Sequence, residues 1–426
     1  MPRFEPFRGL RYRVQALRER SCSLDRVVAP PYDVIEPEER ERLAARSAYN
    51  SVRVELPVDE PGVDRYQAAA SLLSAWQAEG VLARDPRPVL YGYRMSSSDG
   101  DGPGHRLTGV IGALGLEPLG QGDVLPHERT LPKPLGDRFE LLRACQANTS
   151  PIWGLSAAEG LSSLIGEPPA VSADEPPAVS AQTAVDDEGV AHTLWPLTDD
   201  AVIKAICAAL ASRPLVIADG HHRYETALAY QAETAGGADP PPGAGSIMTL
   251  VVELNDDQLW VRPIHRILEG LDRSFDLVGA LSDVVTLDPL GDGLPVAGGE
   301  RGSGDPVSQL LLHGSVRDPA PLLVAPEGVF ALRWRPDQTP VELDADSSHL
   351  DVALAQLPPH QLSYTDDEGA VLEAVRENRA RAGFLLRPVA VGLIAEAARD
   401  RRRFPPKTSF FSPKPRTGMV FRPLSA

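Results

Sequence analysis

Leu215-Val216-Ile217-Ala218-Asp219-Gly220-His221-His222-Arg223-Tyr224-Glu225-Thr226-Ala227-Leu228 opens as a short apolar run rich in β-branched residues and halts at Asp219-Gly220. From His222 to Tyr230 the spacing of Leu228 and the alanines suits a helix, so the stretch predicts a strand, a turn and a helix. The first amides of a helix have no acceptor within it and lie at the positive end of its dipole, which makes such a turn a seat for an anion. Gly220 permits a left-handed turn or a close approach of backbone to ligand, and Arg223 offers a fork of donors matched to phosphate.

Plainer roles fit the same residues: Asp219 as a helix N-cap, and the histidines as packing or surface groups. A zinc site is disfavoured, because neighbouring helical residues point about 100° apart and His221 and His222 cannot readily share an ion. Neither CxxC nor HExxH accompanies them, and the chain contains neither GxxxxGK[ST] nor a GxGxxG after a strand.

The chain has 426 residues, 42% of them hydrophobic, which allows two or three domains with sizeable cores. Its formal charge of −17 opposes non-specific binding to nucleic acid or anionic lipid, so no nucleic acid and no membrane are expected as partners. The start lacks the apolar core of a signal peptide and nowhere do about 18 apolar residues run together, so a cytoplasmic location is expected. Cys22, Cys145 and Cys207 are widely spaced and odd in number, which fits reduced thiols.

Along the chain, two prolines in residues 25–34 force an extended turn that presents Tyr32 and Asp33. Helices are predicted near 37–46 and 64–79, and an antiparallel strand pair over 88–94 and 107–114. Val124-Leu125-Pro126-His127-Glu128-Arg129-Thr130 then clusters polar groups after an apolar strand. A helix opens at Asp137-Arg138, and Asn148-Thr149-Ser150-Pro151 follows. Glu128 beside His127 reads either as a proton acceptor or as an exposed turn residue. A tandem repeat, Glu167-Pro-Pro-Ala-Val-Ser-Ala173 and Glu175-Pro-Pro-Ala-Val-Ser-Ala181, marks a flexible insertion.

Ser246–Glu253 and Leu259–Val261 read as strands joined by a turn at Asn255-Asp256-Asp257, with His265 close behind either as a structural group or facing the same cleft. Residues 271–345 are Gly/Pro-rich and carry no legible function. Beyond them a helix near 348–357, another near 367–378, a strand over 382–386 and a helix near 389–399 precede Phe404-Pro405-Pro406-Lys407-Thr408-Ser409-Phe410-Phe411-Ser412-Pro413-Lys414. Prolines keep this tail extended, so Lys407 and the hydroxyls of Thr408 and Ser409 are expected to project into a pocket.

The boundaries that follow are 1–158 as an N-terminal α/β region with the Pro-His-Glu motif, 159–193 as the flexible Pro/Ala-rich insertion and 194–270 as the Asp-Gly-His-His-Arg core. Next come 271–345 as a variable region and 346–426 as a C-terminal α/β region with the Pro-Lys-Thr-Ser tail.

Pro-Pro-Tyr-Asp-Val (30–34), Pro-His-Glu-Arg-Thr (126–130), Ala-Asp-Gly-His-His-Arg-Tyr-Glu-Thr-Ala (218–227) and the tail together resemble the bacterial and archaeal family known as domain of unknown function 1015 (DUF1015). The Asp-Gly-His-His-Arg motif is also similar to that of the archaeal free-serine kinase of the ParB/sulfiredoxin superfamily. The resemblance implies an α/β (α+β) fold, a ParB/sulfiredoxin-like mixed-sheet core with added N- and C-terminal α/β segments. It implies a kinase that moves a phosphoryl group from ATP or ADP to a hydroxyl, with free L-serine becoming O-phospho-L-serine. Glu128 would be the catalytic base, and Asp219, His221 and His222 would share in catalysis. Gly220, His221, His222 and Arg223 would hold the nucleotide phosphates, and Asp219 would orient a histidine or help hold Mg²⁺. Lys407, Thr408, Ser409 and His127 would bind the acceptor, although Ser409 stands where the kinase has Thr. The alternative is a ParB-like nucleotide-binding switch or interaction module that phosphorylates no metabolite. A homodimer stays open.

Overall fold

The computed structural model describes residues 1–59, 61–97, 105–129, 136–169, 180–237, 240–255, 259–291 and 320–425. It is a mixed α/β protein in two compact units. Met1–Pro126, Thr130–Leu259 and Pro413–Ala426 form the first, and His127–Arg129 with Trp260–Ser412 form the second.

The first unit is built on a nine-stranded mixed sheet. Strand Leu215–Asp219 pairs in parallel with Val124–Pro126 on one side and antiparallel with Ile152–Ser156 on the other. Ser246–Glu253 continues the sheet, parallel to Ile152–Ser156 and antiparallel to Arg106–Gly115. The expected antiparallel pair of Leu90–Ser96 and Arg106–Gly115 is present. Both faces of these central strands are covered, so their residues are buried almost without interruption and show no polar alternation.

Helix Arg65–Ala78 begins where Asp64 caps the amides of Tyr66 and Gln67 and ends before Gly80 at φ +69°. Its stripe buries Ala69, Leu73 and Trp76, while Val63, ahead of the cap, is exposed.

The expectation of a flexible insertion over 159–193 is corrected by what flanks the repeat. Helix Leu161–Ile165 packs into the main core, and Gln182–Val185 and Ala191–Leu197 form the last two strands of the sheet. Leu161, Ile165, Leu194 and Trp195 supply apolar area that the Pro/Ala composition concealed. Residues 170–179 of the repeat lie outside the described residues.

The second unit centres on six antiparallel strands in the order Val285–Gly291, Gly328–Trp334, Leu322–Ala325, Ala382–Leu385, His265–Glu269 and Gln361–Thr365. Alternate residues feed opposite faces. Leu268, Leu323 and Phe384 pack with Leu350 and Leu354 of helix Asp346–Leu354, whereas Ile267, Leu322 and Leu385 pack with Val371 and Val375 of helix Glu368–Arg376. Part of the variable region 271–345 therefore supplies three strands of this sheet; residues 292–319 lie outside the described residues. Nor do the strands around 255–257 form a hairpin: Trp260–Pro263 pairs with Ser409–Ser412, and residues 256–258 are not among those described. Among the described residues no helix is long and apolar enough to cross a membrane.

A buried polar knot ties the N-terminal segment to the first unit. Arg11 donates to both oxygens of Asp85 at 2.9 and 2.7 Å, and the Tyr91 hydroxyl donates to Asp85 at 2.6 Å while accepting from the Gly9 amide at 2.8 Å. Removing one partner leaves an uncompensated buried charge. Asp85→Ala is expected to destabilise the first unit by about 3–5 kcal/mol in urea unfolding, and Arg11→Met with Asp85→Leu should recover most of that loss. A single-variant loss below about 1 kcal/mol would show that the knot contributes no more than a surface pair.

Candidate active site

The predicted strand, turn and helix stand as Leu215–Asp219, Gly220 and His221–Thr234. Gly220 has φ +88°, and a Cβ there would lie 2.7 Å from Ile152 Cγ2 and 3.2 Å from Arg223 Nε. The corner therefore requires glycine both for its backbone angle and for the approach of the neighbouring strand. Tyr224 anchors the helix from below: its hydroxyl donates to the Glu117 carbonyl at 2.9 Å and accepts from the Glu117 amide at 2.8 Å. Tyr224 and Ala227 lie in the main core, which turns the first turn of the helix toward Asp219.

Three charges meet at this corner. Asp219 Oδ2 accepts from Arg223 Nη2 at 3.0 Å, and Oδ1 is held by Lys414 Nζ. Arg223 reaches further through Nη1, which donates to the Pro151 carbonyl at 2.6 Å and to Ser150 Oγ at 3.0 Å. Ser150 in turn donates to the buried Glu55 at 3.0 Å. Beneath lies the Tyr32 ring, with the Arg138 guanidinium 4.4 Å and the Arg223 guanidinium 5.8 Å from its centroid. Tyr32, which opens a short 3₁₀ turn over Tyr32–Val34 rather than an extended one, is thus a platform for two arginines.

Burial pushes the Asp219 carboxyl up, but Lys414 first and Arg223 next outweigh it and hold the group at about 2; His221 adds to the effect. Burial likewise pulls down on Lys414, and Asp219 with Asp33 raises it above its ordinary value. Arg223 is raised against the same burial by Asp219 and Asp33. All three groups are therefore charged across the neutral range. Mg²⁺ does not fit at Asp219 as the corner stands, because both carboxylate oxygens are already taken by cations. His222, expected among the phosphate ligands, lies with Nδ1 3.5 Å from Glu225 Oε2 on its own helix.

The second unit holds the other expected residues. His127 is fully buried, with Nε2 2.7 Å from Ser409 Oγ and its ring edge-on to Phe411. Glu128 bridges Phe404 through its backbone, and its Oε2 accepts from the Thr408 amide at 3.0 Å. The Thr408 hydroxyl donates to the Pro405 carbonyl at 2.8 Å and is paired with Ser347 Oγ at 2.9 Å. Thr408 and Ser409 are both buried, so their hydroxyls do not project into a pocket as expected; they fasten the tail around Glu128. Lys407 is exposed and takes the left-handed backbone at φ +60°, a conformation that a non-glycine residue adopts at some cost in energy. His265 is a structural group. Burial, reinforced by Arg266, lowers it to about 4, and as a neutral ring its Nδ1 accepts from the Leu386 amide at 3.1 Å.

Lys414 and Ser150 are the residues of the corner to which sequence reasoning assigned no role. Lys414 was visible only as a lysine between two prolines of the tail, with nothing local to link it to Asp219, 195 positions earlier.

The family model described as a protein of unknown function (DUF1015) matches residues 4–380. Among solved structures, the chain is similar to a free serine kinase in complex with AMP at 13% identity and a TM-score of 0.34, covering 70% of this chain and 93% of that one. It is similar to a mutant free serine kinase in complex with ADP at 12% identity and a TM-score of 0.36, covering 68% and 84%. A third is C-terminally truncated SbnI from Staphylococcus aureus, at 9% identity and a TM-score of 0.36, covering 71% and 84%. No curated protein matches the chain.

The shift of Asp219 from its ordinary 3.8 to about 2 carries a stability term. A depressed carboxyl pKa stabilises the fold above the unfolded value and loses that contribution as pH falls through the folded one. About 2 kcal/mol should therefore disappear between pH about 4 and 2. In Lys414→Met most of this acid-limb slope should vanish, as read by urea unfolding at half-unit pH steps; an unchanged slope would mean that Lys414 does not hold the carboxyl down.

Proposed function

The chain belongs to the DUF1015 family, and we propose that it is a phosphotransferase that moves a phosphoryl group from ATP or ADP to the hydroxyl of a small molecule, free L-serine first among the candidates. The observation that carries the reading is the Gly220 corner, where Arg223 and Lys414 converge on Asp219 at the start of a long helix. Arg223 and Lys414 form a seat whose charge Asp219 and Asp33 offset in part, and the first amides of His221–Thr234 point out of the helix beside it. Nucleotide phosphate oxygens are the ligand such a seat suits. His221 belongs to it by position; His222 is assigned a lesser share because its Nδ1 lies beside Glu225, 3.5 Å from Oε2.

Glu128 is assigned the base. As the acceptor oxygen forms its bond to phosphorus and the bond to the departing nucleotide breaks, Glu128 takes the acceptor's proton, and ADP or AMP leaves with its electron pair. The Thr408 amide fixes one carboxylate oxygen. His127 and Ser409 hold the strand ends that carry Glu128, and the exposed Lys407 is left to meet the acceptor's carboxylate. No step is assigned to Mg²⁺. The substrates are small and soluble, in keeping with the expected cytoplasmic setting. The same corner would serve a nucleotide-binding switch, and the hydrogen bond from Thr408 to Glu128 favours that reading if the carboxylate only ties down the tail.

Purified protein given nucleotide and serine should form O-phosphoserine, detected by mass. Glu128→Gln should lower turnover by about 10²–10⁴-fold with nucleotide affinity retained, whereas Arg223→Gln should weaken nucleotide binding at least about tenfold by removing a charge-assisted contact. Free phosphate without a phosphorylated acceptor would point to the switch, and full turnover in Glu128→Gln would remove that residue from the chemistry.

A further inference from the structure

A cavity of about 320 Å³ opens at one end of the six-stranded sheet of the second unit. Three chain turns build it. Strand His265–Glu269 runs out into Gly270 at φ +79°, and strand Leu322–Ala325 turns at Pro326 and Glu327. Helix Glu368–Arg376 ends at Asn378 in the left-handed region, and Arg381 leads into strand Ala382–Leu385. The volume is at the small end of the roughly 300–1,000 Å³ that small-molecule sites occupy.

Its lining is cationic in a chain of net charge −17: Arg273, Arg379 and Arg381 face it against Glu327. Arg381 is the informative residue, being only 7% exposed. Nη1 and Nη2 donate to the two Glu327 oxygens at 3.0 and 2.6 Å, and Nη2 also to the Phe275 carbonyl at 3.1 Å. Its Nε is buried and has no hydrogen-bond partner among the described residues.

Arg273 and Arg379 are exposed at the mouth. Arg273 makes one bond to the Asn378 carbonyl at 3.0 Å, and Arg379 rests on two surface carboxylates, Nε on Glu377 at 2.8 Å and Nη2 near Glu373 at 3.7 Å, so an anion has to compete with both. The carbonyl of Ala374 in the last helical turn is already taken by the amides of Arg379 and Ala380, which limits its repulsion of an arriving anion. Leu271, Pro326 and Ala380 supply the apolar part of the wall.

We propose that this cavity binds a small organic oxyanion, a phosphate or carboxylate on a compact body, with the Arg381–Glu327 pair in its wall and Arg273 and Arg379 as the forks that receive it. The site stands whether or not the Gly220 corner binds nucleotide, since it shares no residue with that corner. The test is calorimetric titration of the full chain with sodium pyrophosphate and, separately, with citrate, in the wild type and in Arg273→Ser/Arg379→Ser, whose exposed positions leave the fold intact by circular dichroism. At least one probe should bind the wild type, and in the double variant a binding event should weaken at least tenfold. Binding of pyrophosphate alone would mark a phosphorylated ligand, and of citrate alone a carboxylate. If neither probe binds the wild type, or if the double variant binds both as the wild type does, the proposal fails.

Discussion

Asp219 cannot be understood apart from Lys414. A carboxylate, an ammonium and a guanidinium withdrawn from water would each carry a desolvation penalty of several kcal/mol if left alone. Held together they offset one another, at a corner where residue 220 has no side chain because its backbone is left-handed and Ile152 approaches it. The remaining features of the first unit's corner follow from this ion triplet. Tyr32 and Ser150 also contact Arg223, and Tyr224 fastens the helix to the Glu117 backbone.

The position of Lys414 is itself secured two residues further on. The Arg416 amide donates to the Tyr93 hydroxyl at 3.0 Å, which lies 2.9 Å from His192 Nδ1; His192 Nε2 lies 2.9 Å from Asp186 Oδ2, and the Arg416 side chain closes the ring on that same carboxylate. Burial, helped by Arg416, lowers His192 against the pull of Asp186, so the ring is neutral. One proton order then satisfies every member: Tyr93 O–H donates to Nδ1, and Nε2–H donates to Asp186. Both backbone and side chain of Arg416 are fixed by a loop that starts and ends on that residue. Pro413 and Pro415 lack amides to donate, so side chains hold this stretch before Thr417 pairs through its backbone with Ala29.

The second unit solves a different problem. Its antiparallel sheet has a core on each face, and its polar groups sit at strand ends, where His127, Thr408 and Ser409 bond to one another's neighbourhood. Hydroxyls that a sequence reader would give to a ligand are consumed in holding the chain, Thr408 with Pro405 and Ser347 and Ser409 with His127.

What the sequence determined unaided is what local forces decide. The strand, turn and helix around Gly220 follow from β-branched residues, a glycine and helical spacing; helix Arg65–Ala78 follows from Asp64 and its apolar stripe; the pairing of Leu90–Ser96 with Arg106–Gly115 follows from their proximity in the chain. Only the tertiary structure decided that Lys414 belongs with Asp219, that Trp260–Pro263 pairs with Ser409–Ser412, and that Arg273 lines one cavity with Arg379 and Arg381. Those contacts join residues far apart in sequence, and the free energy that selects them comes from burial and charge pairing that exist only once the sheets have formed. A lysine between two prolines looks the same whether it faces water or a carboxylate, because the difference lies in the dielectric and the partners around it.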